Sequence, residues 1–130
     1  MPTRSLHQRI LLKASPHQVY EALVDPKRHA AFTGSAVRAG RKPGTAFTYY
    51  DGSLSGFVVE LVPDRRILLA WRASSWAKGE YSIARFELSK ARGGTRLTFD
   101  QVGIPAKHLN GIADGWKQFY WTPLAAYLAS

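Results

Sequence analysis

Cysteine is absent from this 130-residue sequence, which excludes disulfides, thiolate nucleophiles and cysteine-based zinc sites. Acidic residues are scarce, nine against eighteen lysines and arginines, leaving a formal net charge of +9. No stretch approaches the roughly 20 apolar residues of a membrane-spanning helix, so no membrane span is expected. The opening Met1-Pro2-Thr3-Arg4-Ser5-Leu6 lacks the apolar run of a signal peptide, which makes the cytoplasm the expected address. Repeats and low-complexity tracts are missing as well. The histidines, His7, His17, His29 and His108, include no His-x-x-x-His pair; no metal site is expected, and all four read as surface residues. There is no Gly-x-Ser-x-Gly, no P-loop and no dinucleotide fingerprint, and no cofactor is expected. Asp25, Asp51, Asp64 and Asp114 belong to turns or caps. Glu80, Glu87 and Asp100 fall on strands, with Glu87 and Asp100 facing solvent, and no two carboxylates are paired for acid–base work. These absences favour binding over catalysis.

What is present is an apolar stock of 45% that includes four Trp, six Tyr and six Phe, enough to exclude disorder. A chain of this length makes one domain, residues 1–130, and buries roughly two-thirds of its unfolded surface. The basic residues are scattered, with the denser groups Arg38/Arg41/Lys42, Arg65/Arg66 and Lys90/Arg92/Arg96 in or beside turns. Such turns read as a solvated rim that attracts polyanions weakly, with no specific nucleic acid as partner.

Periodicity divides the chain. Residues 4–14 alternate as a half-buried strand, with Leu6, Gln8, Ile10, Leu12 and Ala14 on one face. Ser15-Pro16-His17-Gln18 is a capping-box helix start, and Asp25-Pro26 repeats the signal, predicting helices over 16–24 and 26–32. From Gly34 the period becomes two, with strands expected at 35–39, 45–50, 54–62, 66–73, 80–89 and 95–102. Asp51-Gly52 signals a type I′ turn, Pro63-Asp64 the centre of a type I turn, and Gly93-Gly94 a positive-φ link. Short links imply an antiparallel meander. Residues 106–128 return to helical spacing, with Leu109, Ile112, Ala113, Trp116, Phe119, Tyr120, Pro123, Leu124 and Tyr127 on one broad face. Pro123 lies inside that helix and predicts a bend one turn before it. The fold class is therefore α+β: a seven-stranded antiparallel sheet curved around a long C-terminal helix, with two short helices between strands 1 and 2.

The residues now resemble a known family. Ala14-Ser15-Pro16-x-x-Val19-Tyr20-x-Ala22-Leu23-x-Asp25-Pro26, Ala31-Phe32-Thr33-Gly34, Asp51-Gly52-x-x-x-Gly56 and Glu60-Leu61-Val62-Pro63-x-x-Arg66-Ile67 are similar to the activator-of-Hsp90-ATPase homologues. So are Trp71-Arg72, Trp76, Gly79-x-Tyr81, Gly94-Thr95-x-Leu97-Thr98, Gly103-Ile104-Pro105 and Gly115-Trp116-Lys117-Gln118-Phe119-Tyr120-Trp121-x-Pro123-Leu124. The resemblance implies the helix-grip fold of START-like domains, whose members mostly enclose an apolar cavity, and admits a chaperone or other protein partner. Arg41-Lys42-Pro43-Gly44 departs from the family's glycine pair before the third strand.

Candidate site residues follow from the inward faces. Ile67, Leu69 and Trp71 share one face with Ser82, Ala84, Phe86 and Leu88, and with Thr95, Leu97, Phe99 and Gln101. Small residues among large ones suggest a hollow beneath the terminal helix, where Trp71 and Trp116 face each other. A small apolar ligand there would meet Phe32, Leu69, Trp71, Ala84, Phe86, Leu97, Phe99, Gln101, His108, Ile112, Trp116 and Tyr120, with Thr95, Gln101 and Tyr120 able to orient it. His108 enters because the start of this helix borders the cavity mouth in the resembled fold. The competing reading is that these aromatics are ordinary close-packed core. Three functions stay open: small-molecule binding, protein interaction related to chaperone activators, and a cyclase- or hydrolase-like enzyme. Monomer and homodimer are both compatible.

Overall fold

A computed structural model describes residues 2–129; Met1 and Ser130, which the expected 1–130 domain includes, lie outside the described residues. The order is β1 (Thr3–Leu12), α1 (Pro16–Val24), α2 (Pro26–Thr33), β2 (Arg38–Ala39), β3 (Ala46–Tyr49), β4 (Leu54–Val62), β5 (Arg66–Ala73), β6 (Ser82–Ala91) and β7 (Gly94–Pro105). A single 3₁₀ turn (Ala106–His108), α3 (Leu109–Trp116), a π-helical segment (Lys117–Trp121) and α4 (Thr122–Ala129) complete the chain. The sheet has seven antiparallel strands in the order β1-β7-β6-β5-β4-β3-β2, so the first strand closes against the last.

Local chemistry explains the elements. Ser15 accepts from the Gln18 N–H while the Gln18 side chain accepts from the Ser15 N–H, a complete capping box, and Asp25 caps α2 in turn. The Asp51-Gly52 turn closes with the Ser53 N–H donating to Tyr50 O at 3.1 Å and φ of 53° and 90°, the type I′ signature. Gly56 and Gly94 are required by close approach: a Cβ would sit 1.7 Å from Ala70 O at the first and 2.0 Å from Leu12 O at the second.

Several expectations need correcting. The strand over 35–39 shrinks to Arg38–Ala39, because Gly34 ends α2 in the left-handed region at φ 71° and the chain turns before it can pair. Asp64 adopts φ 64°, so the β4–β5 link is a type II turn instead of type I. Glu80 precedes β6 and accepts from the Ala77 N–H in the connecting loop.

The terminal helix is segmented. One turn before Pro123, where a bend is expected, the backbone widens into the π-helical Lys117–Trp121 segment. Pro123 has no N–H for the Phe119 carbonyl four residues back. That carbonyl instead accepts from the Tyr50 hydroxyl at 2.5 Å. The widened turn shifts the helix face. Phe119, expected inward, is 48% exposed, and Trp121, left off the expected apolar face, is buried.

Candidate functional site

The three inward strand faces are buried throughout, from Ile67, Leu69 and Trp71 to Ser82, Ala84, Phe86 and Leu88 and on to Thr95, Leu97, Phe99 and Gln101. Trp116 descends from the helix into their middle. Its ring lies 4.4 Å from Phe99, 5.3 Å from Trp121 and 5.6 Å from Trp71, centroid to centroid. Beside Ser82 and Ala84, the room left by small side chains holds a polar chain. The Trp116 indole N–H donates to Gln101 Oε1 at 2.8 Å, the Gln101 amide donates to Ser82 Oγ at 2.8 Å, and that hydroxyl donates to Trp71 O at 2.9 Å. Gln8 makes a parallel tie, accepting from the Trp121 indole at 2.6 Å while donating to Ala113 O at 3.1 Å.

A hollow of about 280 Å³ remains on the other side of Trp116, toward the β3–β4 hairpin. Trp71, Trp116, Ile112 and Tyr120, all read from the sequence, line it. Tyr50, Ser53, Leu54, Gly111, Gly115 and Phe119 also line it, and these the sequence reading missed. The available signal was Gly111 and Gly115, spaced i, i+4 on one helix face, which leave that face bare where a larger side chain would fill it. Phe32, Leu69, Ala84, Phe86, Leu97, Phe99, Gln101 and His108 are not among its lining residues. Thr95, Gln101 and Tyr120 have their polar atoms engaged within the protein, Thr95 through Ala14 O at 2.7 Å.

His29 overturns the surface reading of the histidines. It is 2% exposed, with its ring 4.2 Å from that of Tyr49. Its Nδ1 lies 3.0 Å from Leu23 O; a carbonyl can only accept, so Nδ1 carries the proton and Nε2 accepts from the Tyr120 hydroxyl at 2.9 Å. Burial pushes its pKa down from 6.5 to about 4, opposed by the Leu23 hydrogen bond, and burial raises Tyr120 well above its usual value. Helical spacing alone could not show this, because α2 packs its His29 side inward against α4 and the hairpin. His108 stacks on Trp76 at 6.0 Å and 14°. Its Nε2 and the indole nitrogens of Trp71 and Trp76 are buried without hydrogen-bond partners among the described residues. Each such group costs about 1–3 kcal/mol. Among the described residues no group of three or more metal-ligating side chains converges, and no helix is long and apolar enough to cross a membrane.

The outer face of the sheet is different. Register aligns Phe57, Ala70, Ile83 and Val102 in one cross-strand row, and Phe57, Ile83 and Val102 are exposed, Val102 by 49%. Tyr81 joins them, its ring 6.2 Å from Phe57 and 5.9 Å from the Arg72 guanidinium.

Known proteins share this architecture. An HSP90 activator from Plasmodium falciparum superposes with a TM-score of 0.86 at 21% identity, covering 98% of this chain and 96% of that one. The Aha1 dimer from Colwellia psychrerythraea gives 0.82 at 17%, covering 96% of each chain. In sequence, the human Activator of 90 kDa heat shock protein ATPase homolog 1 is 27% identical over 121 residues, and the Dictyostelium discoideum homolog is 29% identical over 117. The alignments take in 93% and 89% of this chain but only 36% and 30% of those proteins, so the chain spans about a third of their length. The family model described as Activator of Hsp90 ATPase homolog 1-like protein matches residues 13–129, from the end of β1 through α4. Capping box, hairpin turns and tryptophan-centred interior all lie within that match, and the chain belongs to this family.

Proposed function

We propose that the chain is a protein-interaction module that docks on an Hsp90-type chaperone and modulates its ATPase. The observation that carries this is the placement of apolar surface. Most of the inner face is consumed by packing, while Phe57, Val59, Tyr81, Ile83 and Val102 stand exposed on the outer face. Exposed apolar rows of this kind mark interaction sites. The sequence relatives named as activators of the 90 kDa heat shock protein ATPase support such a chaperone as the partner. The test is the steady-state ATPase rate of an Hsp90-type chaperone with increasing amounts of this protein. A saturable rise is expected, weakened by Ile83→Glu with Val102→Glu. No change in rate at saturating protein would remove the reading.

A second reading is favoured by the hollow, whose walls are largely aromatic and aliphatic. There the module accepts a small apolar molecule, held by the aromatic rings of Trp71, Trp116 and Tyr120. An environment-sensitive apolar dye should bind and quench tryptophan fluorescence. Gly111→Phe, which adds a side chain where nothing lies within 4 Å of the new Cβ, should block it without unfolding the protein. Dye binding unchanged by Gly111→Phe would place the dye elsewhere and sink this reading.

A further inference from the structure

The outer sheet face changes character along its strands. At one end is the Phe57–Ala70–Ile83–Val102 row. In the middle the charges neutralise one another: Asp100 is 2.6 Å from His7 and 3.2 Å from Arg85, and Arg66 is 2.6 Å from Glu87 and 3.3 Å from Glu60. At the far end register sets Leu11 opposite Arg96, and Arg96 opposite Ser89. Arg9 flanks Leu11 on the same strand face, Lys13 follows directly after the end of β1, and Arg92 sits in the adjoining β6–β7 turn. These four cations, Arg9, Lys13, Arg92 and Arg96, are exposed and form no ion pair among the described residues. Leu11 stands among them 67% exposed. From Ile83 to Ser89 along β6 the two ends are about 20 Å apart at the usual rise of an extended strand.

We propose that this face is one docking strip, which takes a protein segment carrying an apolar cluster and, about 20 Å away, an acidic cluster. The apolar residues cover the Phe57–Ile83–Val102 row and the carboxylates meet the cations around Leu11. This rests on the reading of the chain as a chaperone-docking module and specifies the surface of the partner that such docking uses. A nucleic acid would engage the cations but has no use for the apolar row. A lipid surface would take up both ends of the face without regard to their spacing, so tighter binding of a spaced than of an adjacent pair of clusters marks a protein segment. Complementary charge at such a surface sets association rate and orientation, while the apolar row supplies most of the buried area.

The test uses the intact protein and labelled synthetic peptides at physiological salt, read by fluorescence anisotropy. One peptide carries a Leu-Phe pair and a four-glutamate run separated by an extended polar spacer of matching length; others carry either half alone, or both halves adjacent. The spaced peptide is expected to bind at least tenfold more tightly than either half and more tightly than the adjacent form. Arg96→Glu and, separately, Val102→Glu should each weaken it about tenfold while leaving the melting curve near that of the parent. No binding of the spaced peptide, equal binding of the glutamate half alone, or insensitivity to both substitutions overturns the strip. The same variants in the chaperone ATPase assay separate the two readings. If stimulation persists in Arg96→Glu and Val102→Glu, docking lies elsewhere and the chaperone reading stands. If the parent protein binds the spaced peptide but never changes the ATPase rate, the strip stands and the chaperone reading falls.

Discussion

The two sides of the interior are lined by the same kinds of residue, yet one is full and the other hollow. On the β6–β7 side the helix contributes Trp116 and Trp121, whose rings lie 5.3 Å apart and reach Phe99 and the Gln101 amide. On the β3–β4 side it contributes Gly111 and Gly115 alongside Ile112, Trp116, Phe119 and Tyr120, and about 280 Å³ stays open. The sheet supplies large side chains to both sides, Phe86 and Phe99 to one, Trp71 and Leu54 to the other. The two glycines, bare of side chains between large neighbours, therefore mark where space remains. Small sheet residues such as Ser82 and Ala84 do not make the hollow, because Trp116 and Gln101 close over them.

The sharpest way to break this contrast is Trp116→Ala. It removes the ring common to both sides and leaves the buried Gln101 carbonyl without its donor. A loss of about 3–5 kcal/mol is expected in urea unfolding, in line with aromatic-to-alanine substitutions in close-packed cores. A loss below about 1 kcal/mol would mean that the filled side is not close-packed.

Acid should act through His29, buried where it meets the Tyr120 hydroxyl. The folded-state pKa is depressed to about 4 against an ordinary 6.5, so the unfolded chain takes up the proton first as pH falls. Stability from the neutral His29 is complete above about pH 6.5 and is lost progressively on the way to pH 4, amounting to about 3 kcal/mol. Unfolding free energies measured between pH 7 and 4 should show that decline, and His29→Phe should flatten it. A parent curve flat to pH 4.5 would contradict the buried, neutral assignment.

The smallest effect belongs to the hollow's wall. Gly111→Ala, at an exposed position of α3 with open space around the new Cβ, should raise stability by roughly 0.5–1 kcal/mol through helix propensity. A destabilisation of that size in thermal unfolding would show that the helix needs the glycine for contact.

Much of this was legible in the sequence. Capping residues placed α1 at 16–24, alternation placed β4 and β5 to the residue, and the inward faces of β5, β6 and β7 were read without error. These features are local, set by cap chemistry and the pleat. What the sequence hid was set by distant partners. Phe119 turns outward and Trp121 inward because the helix widens before Pro123 and the Tyr50 hydroxyl, from a hairpin 69 positions earlier, takes up the Phe119 carbonyl. His29 is buried because Tyr120, 91 positions later, supplies its hydrogen bond. The chain of bonds from Trp116 through Gln101 to Ser82 likewise depends on register across β6 and β7. Neither the hollow's position nor its glycine wall follows from alternation along single strands.

The strand order carries a consequence for synthesis. β1 is an edge strand whose sole sheet neighbour is β7. During synthesis Thr3–Leu12 is made before every other strand of this sheet and has no ladder to join until Gly94–Pro105 has been made, with all five intervening strands already out. Until then its backbone N–H and C=O groups wait without their native ladder, beside the apolar Leu6, Ile10, Leu11 and Leu12. Arg4, Arg9 and Lys13, spaced along the same segment, keep that waiting strand charged, and a charged edge is a poor template for pairing with other nascent chains.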